Sequence, residues 1–83
     1  MNITVRYFAA IREALGVSAE LVVATDAPTL AALRDELIAR GGAYAALARD
    51  KAVRMALDQV MSDESAALAD GAEVAFFPPV TGG

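Results

Sequence analysis

Only one stretch of the chain, Leu30 to Ile38, sustains apolar residues at helical spacing: Leu30, Leu33, Leu37 and Ile38 stand at i, i+3, i+7 and i+8. Thr29 is placed to cap this helix and Gly41-Gly42 to end it. The other long apolar runs alternate at the period of a strand. The chain is therefore committed to one main helix against a sheet of four or five strands. Two layers are the fewest that bury both apolar faces, so the fold class is α+β.

The first strand spans Asn2 to Phe8, with Ile3, Val5 and Tyr7 on one face and Thr4, Arg6 and Phe8 on the other. Ala9 to Leu15 is a short helical turn stopped at Gly16, and Ala19 to Thr25 is a second strand ended by Asp26-Ala27-Pro28. After the main helix, Tyr44 to Arg49 forms a further helical turn with Tyr44 and Leu47 inward. Lys51 to Leu57 is the third strand, and Asp58-Gln59 turns the chain into a short strand at Val60-Met61. Ser62 to Ala69 is irregular and anchored by Leu68. Asp70-Gly71 then leads into the last strand, Glu73 to Phe77. First and last strands are expected side by side in mid-sheet. Parity puts Val74 and Phe76 in the core with Ile3, Val5 and Tyr7, and leaves Phe8 and Phe77 together outside as an apolar patch. Met61 suits either the core or an adaptable contact surface.

An 83-residue chain is one small domain with little room for both a core and a deep cleft, which disfavours a self-contained enzyme. It has no Cys and no His, so disulfides, thiolate metal sites, a nucleophilic thiol and an imidazole base are excluded. The net charge of −4 speaks against nucleic acid and for a partner with a basic surface. No run is long enough to span a membrane, Met1 opens directly into a strand pattern, and the chain is read as cytoplasmic. Asp35-Glu36 and Asp63-Glu64 read as solvated charge, as do Arg34, Arg40 and Arg12-Glu13. No metal site is expected. Gly41-Gly42 closes a helix and lacks the Lys-Ser/Thr of a phosphate loop.

The end of the chain is different in kind. Pro78-Pro79 donate no backbone hydrogen bonds, so the strand must stop at Phe77 and the chain must leave the domain in a stiff extended form. The six residues from Pro78 to Gly83 reach roughly 20 Å. Gly82 and Gly83 have no side chains, so they fit a narrow channel and leave the terminal carbonyl carbon open to attack. A tail of this design, Pro78, Pro79, Val80, Thr81, Gly82 and Gly83, suits insertion into another protein's active site.

The run Phe76-Phe77-Pro78-Pro79-Val80-Thr81-Gly82-Gly83, with Asp70-Gly71 and Glu73-Val74 before it, resembles the C-terminal signature of the small, sulfur-carrying subunits of molybdopterin synthase. Val5-Arg6-Tyr7-Phe8-Ala9 through Arg12-Glu13 resembles that family's first strand and helix, and Asp58-Gln59 departs from its usual Asn-Gln. The resemblance implies a ubiquitin-like β-grasp domain over residues 1–77 with an extended tail at 78–83. It implies that a ubiquitin-activating-like adenylyltransferase uses ATP to adenylate Gly83, and that a sulfur donor protein converts it to a thiocarboxylate. The large subunit, in an assembly of two small and two large chains, would supply the active site where that sulfur enters a cyclic pyranopterin precursor. The carrier itself would be non-catalytic and bind no cofactor, and Phe8, Phe77 and Met61 would form its partner interface. Two alternatives are a carrier for thiamine thiazole synthesis or RNA thiolation, and a ubiquitin-like modifier or interaction module.

Overall fold

The computed structural model describes residues 1–22 and 24–79. Its elements are β1 (Ile3–Tyr7), α1 (Ala9–Leu15), β2 (Ala19–Val22), α2 (Leu30–Ile38), β3 (Arg54–Leu57), β4 (Val60–Ser62) and β5 (Glu73–Phe77), with 3-10 turns at Gly42–Leu47 and Arg49–Lys51. The strands form one mixed sheet in the order β2-β1-β5-β3-β4. As expected, the first and last strands are neighbours at its centre, and they run parallel, with Val5 beside Val74 and Tyr7 beside Phe76. This is the ubiquitin-like β-grasp arrangement.

The core lies between α2 and one face of the sheet. Ile3, Val5, Val74 and Phe76 are fully buried against Leu30, Leu33 and Leu37 of the helix. The side chain of Thr29 accepts a hydrogen bond from the Ala32 amide at 3.2 Å, satisfying one of the free donors at the start of α2. Leu68 anchors the long connection as predicted: it packs on the core, and its amide donates to the Pro28 carbonyl at 3.0 Å.

Several expectations are corrected. Arg34 is not on a solvated face: it is 3% exposed and forms an ion pair with Glu64, so Glu64 is not free surface charge either. A long arginine stem can lie buried while its charged head finds a partner, and here that partner is Glu64. β3 begins at Arg54, because Lys51 ends a 3-10 turn and Ala52 takes a positive φ of 55°, which no strand accommodates. β2 stops at Val22, and Ala24 also has a positive φ. The buried Thr25 hydroxyl donates to Glu36 at 2.7 Å, leaving the ladder to tie the loop to the helix. Val23, placed in this strand by the sequence, lies outside the described residues.

Candidate partner-docking site at the end of the sheet

Alternation along the central strands leaves one face of the sheet away from α2. Ladder register places Arg6, Ala75, Ala56 and Met61 in one row across that face, and puts Phe77 beside Arg54 in the next. Phe8 follows β1 and stands beside Phe77, the two rings stacked at 4.6 Å with an 11° interplanar angle. Both are half-buried, each shielding the other, in the offset geometry that aromatic pairs favour. Ala56 and Ala75 form a shallow floor between taller neighbours, and Met61 is 51% exposed beyond them. The sequence left Met61 open between core and surface. The structure puts it on the outer face, in the same surface as Phe8 and Phe77.

Phe8 is held there by β1 and α1 together. Its own backbone is extended, it caps α1, and its amide donates to the Phe76 carbonyl at 3.2 Å, while the Ile11 amide donates to the Phe8 carbonyl at 3.1 Å. The stack is thus fixed where β5 ends. Pro78 and Pro79 follow immediately, and β5 stops at Phe77 as expected, with Pro78 half-buried and Pro79 exposed. Pro78 and Pro79 border an apolar groove of about 420 Å³ together with Ala10, Ile11, Ala43 and Ala46. Val80, Thr81, Gly82 and Gly83 lie outside the described residues.

Two features of this face escape a reading of apolar residues alone. Arg6 places its guanidinium 5.8 Å from the centre of the Phe8 ring, and Arg54 lies across from Phe77. Their parity with Phe8 and Phe77 was available in the sequence as the signal. Leu21, which the sequence places within a strand, is 61% exposed on the same outer face at the β2 edge.

Behind the sheet, Glu20 gathers a polar cluster that braces β2 and α2 with the first 3-10 turn. It accepts from the Tyr7 hydroxyl at 2.9 Å, from Tyr44 at 3.1 Å and from Arg40 at 2.5 Å. Partial burial works against its charge, yet the hydrogen bonds from Arg40, Tyr7 and Tyr44 outweigh that and hold its carboxyl below the usual range. Burial, reinforced by the bond to Glu20, pushes the Tyr7 hydroxyl up, so it stays protonated as a donor. No His/Cys/Asp/Glu group among the described residues is arranged to hold a metal ion. No helix among them is long and apolar enough to cross a membrane.

The sequence model of the ThiS family matches residues 5–83. The molybdopterin synthase sulfur carrier subunit of Escherichia coli (strain K12) is 43% identical over 81 residues, covering 98% of this chain and 99% of its own length. The subunit of the same description from Haemophilus influenzae is 36% identical with the same coverage. Among solved structures, a chain in the protein-protein complex of subunits 1 and 2 of molybdopterin-converting factor from Helicobacter pylori superposes with a TM-score of 0.67. It is 27% identical, and the match covers all of both chains.

Proposed function

The chain belongs to the ThiS family, and from that premise we propose that it is the sulfur-carrying small subunit of a molybdopterin synthase. The observation that carries the reading is the place of the Phe8–Phe77 stack. An apolar docking patch on the outer face of the sheet stands at the point where β5 hands over to Pro78 and the glycine-ended tail. A partner that seats on the patch is within reach of the tail, because four residues beyond Pro79 span roughly 13 Å.

In this reading the carboxylate of Gly83 is the group that works. A carboxylate is a poor acyl donor, so its oxygen first attacks the α-phosphorus of ATP on an activating enzyme, releasing pyrophosphate and leaving an acyl adenylate. Hydrosulfide released by a sulfur donor protein then adds to the carbonyl carbon, and AMP leaves with the C–O bonding pair, so that a C–S bond replaces the C–O bond that is broken. The resulting thiocarboxylate is delivered to the large subunit, where its sulfur passes to the pyranopterin precursor. The carrier contributes an accessible acyl carbon, a rigid platform that aims it and the surface that docks it. The chemistry is supplied by its partners, in the cytoplasm and in an assembly of two small and two large subunits.

Intact mass spectrometry of the chain isolated with its natural partners tests this. The expected result is a species heavier by one oxygen-to-sulfur exchange, located on Gly83. An isopeptide bond to lysine at Gly83 would assign the chain to the modifiers instead. A thiocarboxylate that supports thiazole synthesis or RNA thiolation but not molybdopterin formation would move it to another sulfur pathway.

A further inference from the structure

The net charge of −4 belongs to the whole chain, not to the end of the sheet that docks. On the outer face, Arg6 stands across from Ala75 on one side of β5 and Arg54 across from Phe77 on the other. The two guanidinium-bearing chains therefore flank the apolar patch, two strand spacings across the sheet and two residues along it, or roughly 12 Å between their backbone positions. Both residues are exposed, and neither has a carboxylate partner among the described residues. Two acids of this side stand at the opposite end: Glu73 pairs in register with Thr4, and Asp58, at the β3–β4 turn, accepts from the Glu73 amide at 2.9 Å, while Asp63 and Glu64 line a pocket with Arg54 on the β4 side of the sheet. Asp70 also lies at the opposite end, accepting from the Asn2 amide. The far end of the sheet is thus anionic, while the outer face beside the departing tail carries the two arginines, Arg6 over Phe8 and Arg54 beside Phe77.

A partner that covers Phe8 and Phe77 also covers Arg6, whose guanidinium already sits over the Phe8 ring. Guanidinium groups taken from water without acceptors are costly, and carboxylates are the acceptors that match their geometry and charge. We infer that the large-subunit surface seated on this patch has an apolar centre and an acidic rim, with carboxylates spaced to meet Arg6 and Arg54. This rests on the docking role proposed above, and it reverses the expectation that net charge sets: at this contact the partner is acidic.

The test is stopped-flow association of the full-length chain with the molybdopterin synthase large subunit of the same organism, at low and high salt. The variants are Arg6→Glu/Arg54→Glu, Arg6→Leu/Arg54→Leu and Phe77→Ala, each first checked by its melting curve. Charge reversal should slow association at least tenfold at low salt, with most of the difference removed at high salt. The leucine pair should also bind more weakly, because partner carboxylates are left unpaired. Unchanged or faster association of the reversal variant, or tighter binding of the leucine pair, overturns the acidic rim. Should reversal compromise folding, the leucine pair decides alone. Phe77→Ala separates the two levels: if it leaves binding intact, the docking site itself is wrong. If it cripples binding while both arginine variants bind as the parent does, only the acidic rim fails.

Discussion

The two faces of the sheet are built from the same strands, residue by alternate residue, yet they meet opposite surroundings. Toward α2, Ile3, Val5, Val74 and Phe76 have no exposed surface and Tyr7 almost none. On the outer face Phe8 and Phe77 keep part of their rings in contact with solvent, and Met61 and Leu21 are more than half exposed. Phe76 and Phe77 are neighbours of identical chemistry, and only the direction of the pleat buries one in the core and leaves the other on the outer face, where we propose that a partner docks. Apolar character therefore does not say what a residue is for; its side of the sheet does.

The largest expected effect lies beyond both faces. Deleting Gly83 should abolish thiocarboxylate formation and leave the melting temperature unchanged, since the core formed by the described residues ends at Phe76. A truncated chain that is still loaded with sulfur would remove the terminal carboxylate from the mechanism. The next comparison is within the Phe76-Phe77 pair. Phe76→Ala should cost about 3–5 kcal/mol, enough to unfold much of a marginally stable small domain. Phe77→Ala should cost the isolated domain about 1 kcal/mol, mainly the lost stack with Phe8, while weakening the complex by at least about 2 kcal/mol. Denaturant melts and titration calorimetry of both variants decide it, and interchanged effects would mean that the faces have been assigned the wrong way round.

A smaller effect sharpens the contrast from the core side, where Arg34 is a buried cation whose Nε has no acceptor. Glu64→Gln should destabilise by about 1–2 kcal/mol, because it leaves that cation unpaired. Arg34→Met should cost less than about 1 kcal/mol or stabilise, because the stem's packing survives and the desolvated charge is gone. Urea melts that rank the two variants in the opposite order would show that the ion pair contributes net stability. The smallest effect is on pH. Glu20 is held below its ordinary value in the folded chain, so it binds fewer protons there than when unfolded. Its stabilisation is present above about pH 4.3 and is lost as pH falls through the lower native value. The acid limb of a melting-temperature profile should flatten in Glu20→Gln, and an unchanged limb would place the acid sensitivity elsewhere.

Much of this was legible in the residues. Alternation in Asn2 to Phe8 and Glu73 to Phe77, the stripe on α2, its Thr29 cap and the stop at Pro78 all follow from local geometry, and each is realised. The Asp58-Gln59 turn was legible as well, although both residues adopt positive φ, 50° and 69°, in a two-residue hairpin that usually favours glycine or asparagine. What failed was whatever depends on distant partners. Arg34 reads as solvated because nothing in α2 reveals that a segment 30 residues later brings Glu64 to it. Lys51 and Ala52 read as strand because alternation cannot register a backbone that turns through positive φ.

The docking end divides in the same way. That Phe8 and Phe77 share a face, and that the tail begins beside them, is a consequence of parity and of proline's missing N–H, both properties of the chain itself. That their rings stack, that Met61 joins the same face, and that Arg6 and Arg54 bracket the patch while Glu73, Asp58 and Asp70 collect at the far end, only the tertiary structure decided. The reason is that strand order and register are set by packing between segments far apart in sequence. Net charge is a sum over residues, whereas the field at a surface depends on where the fold puts each one.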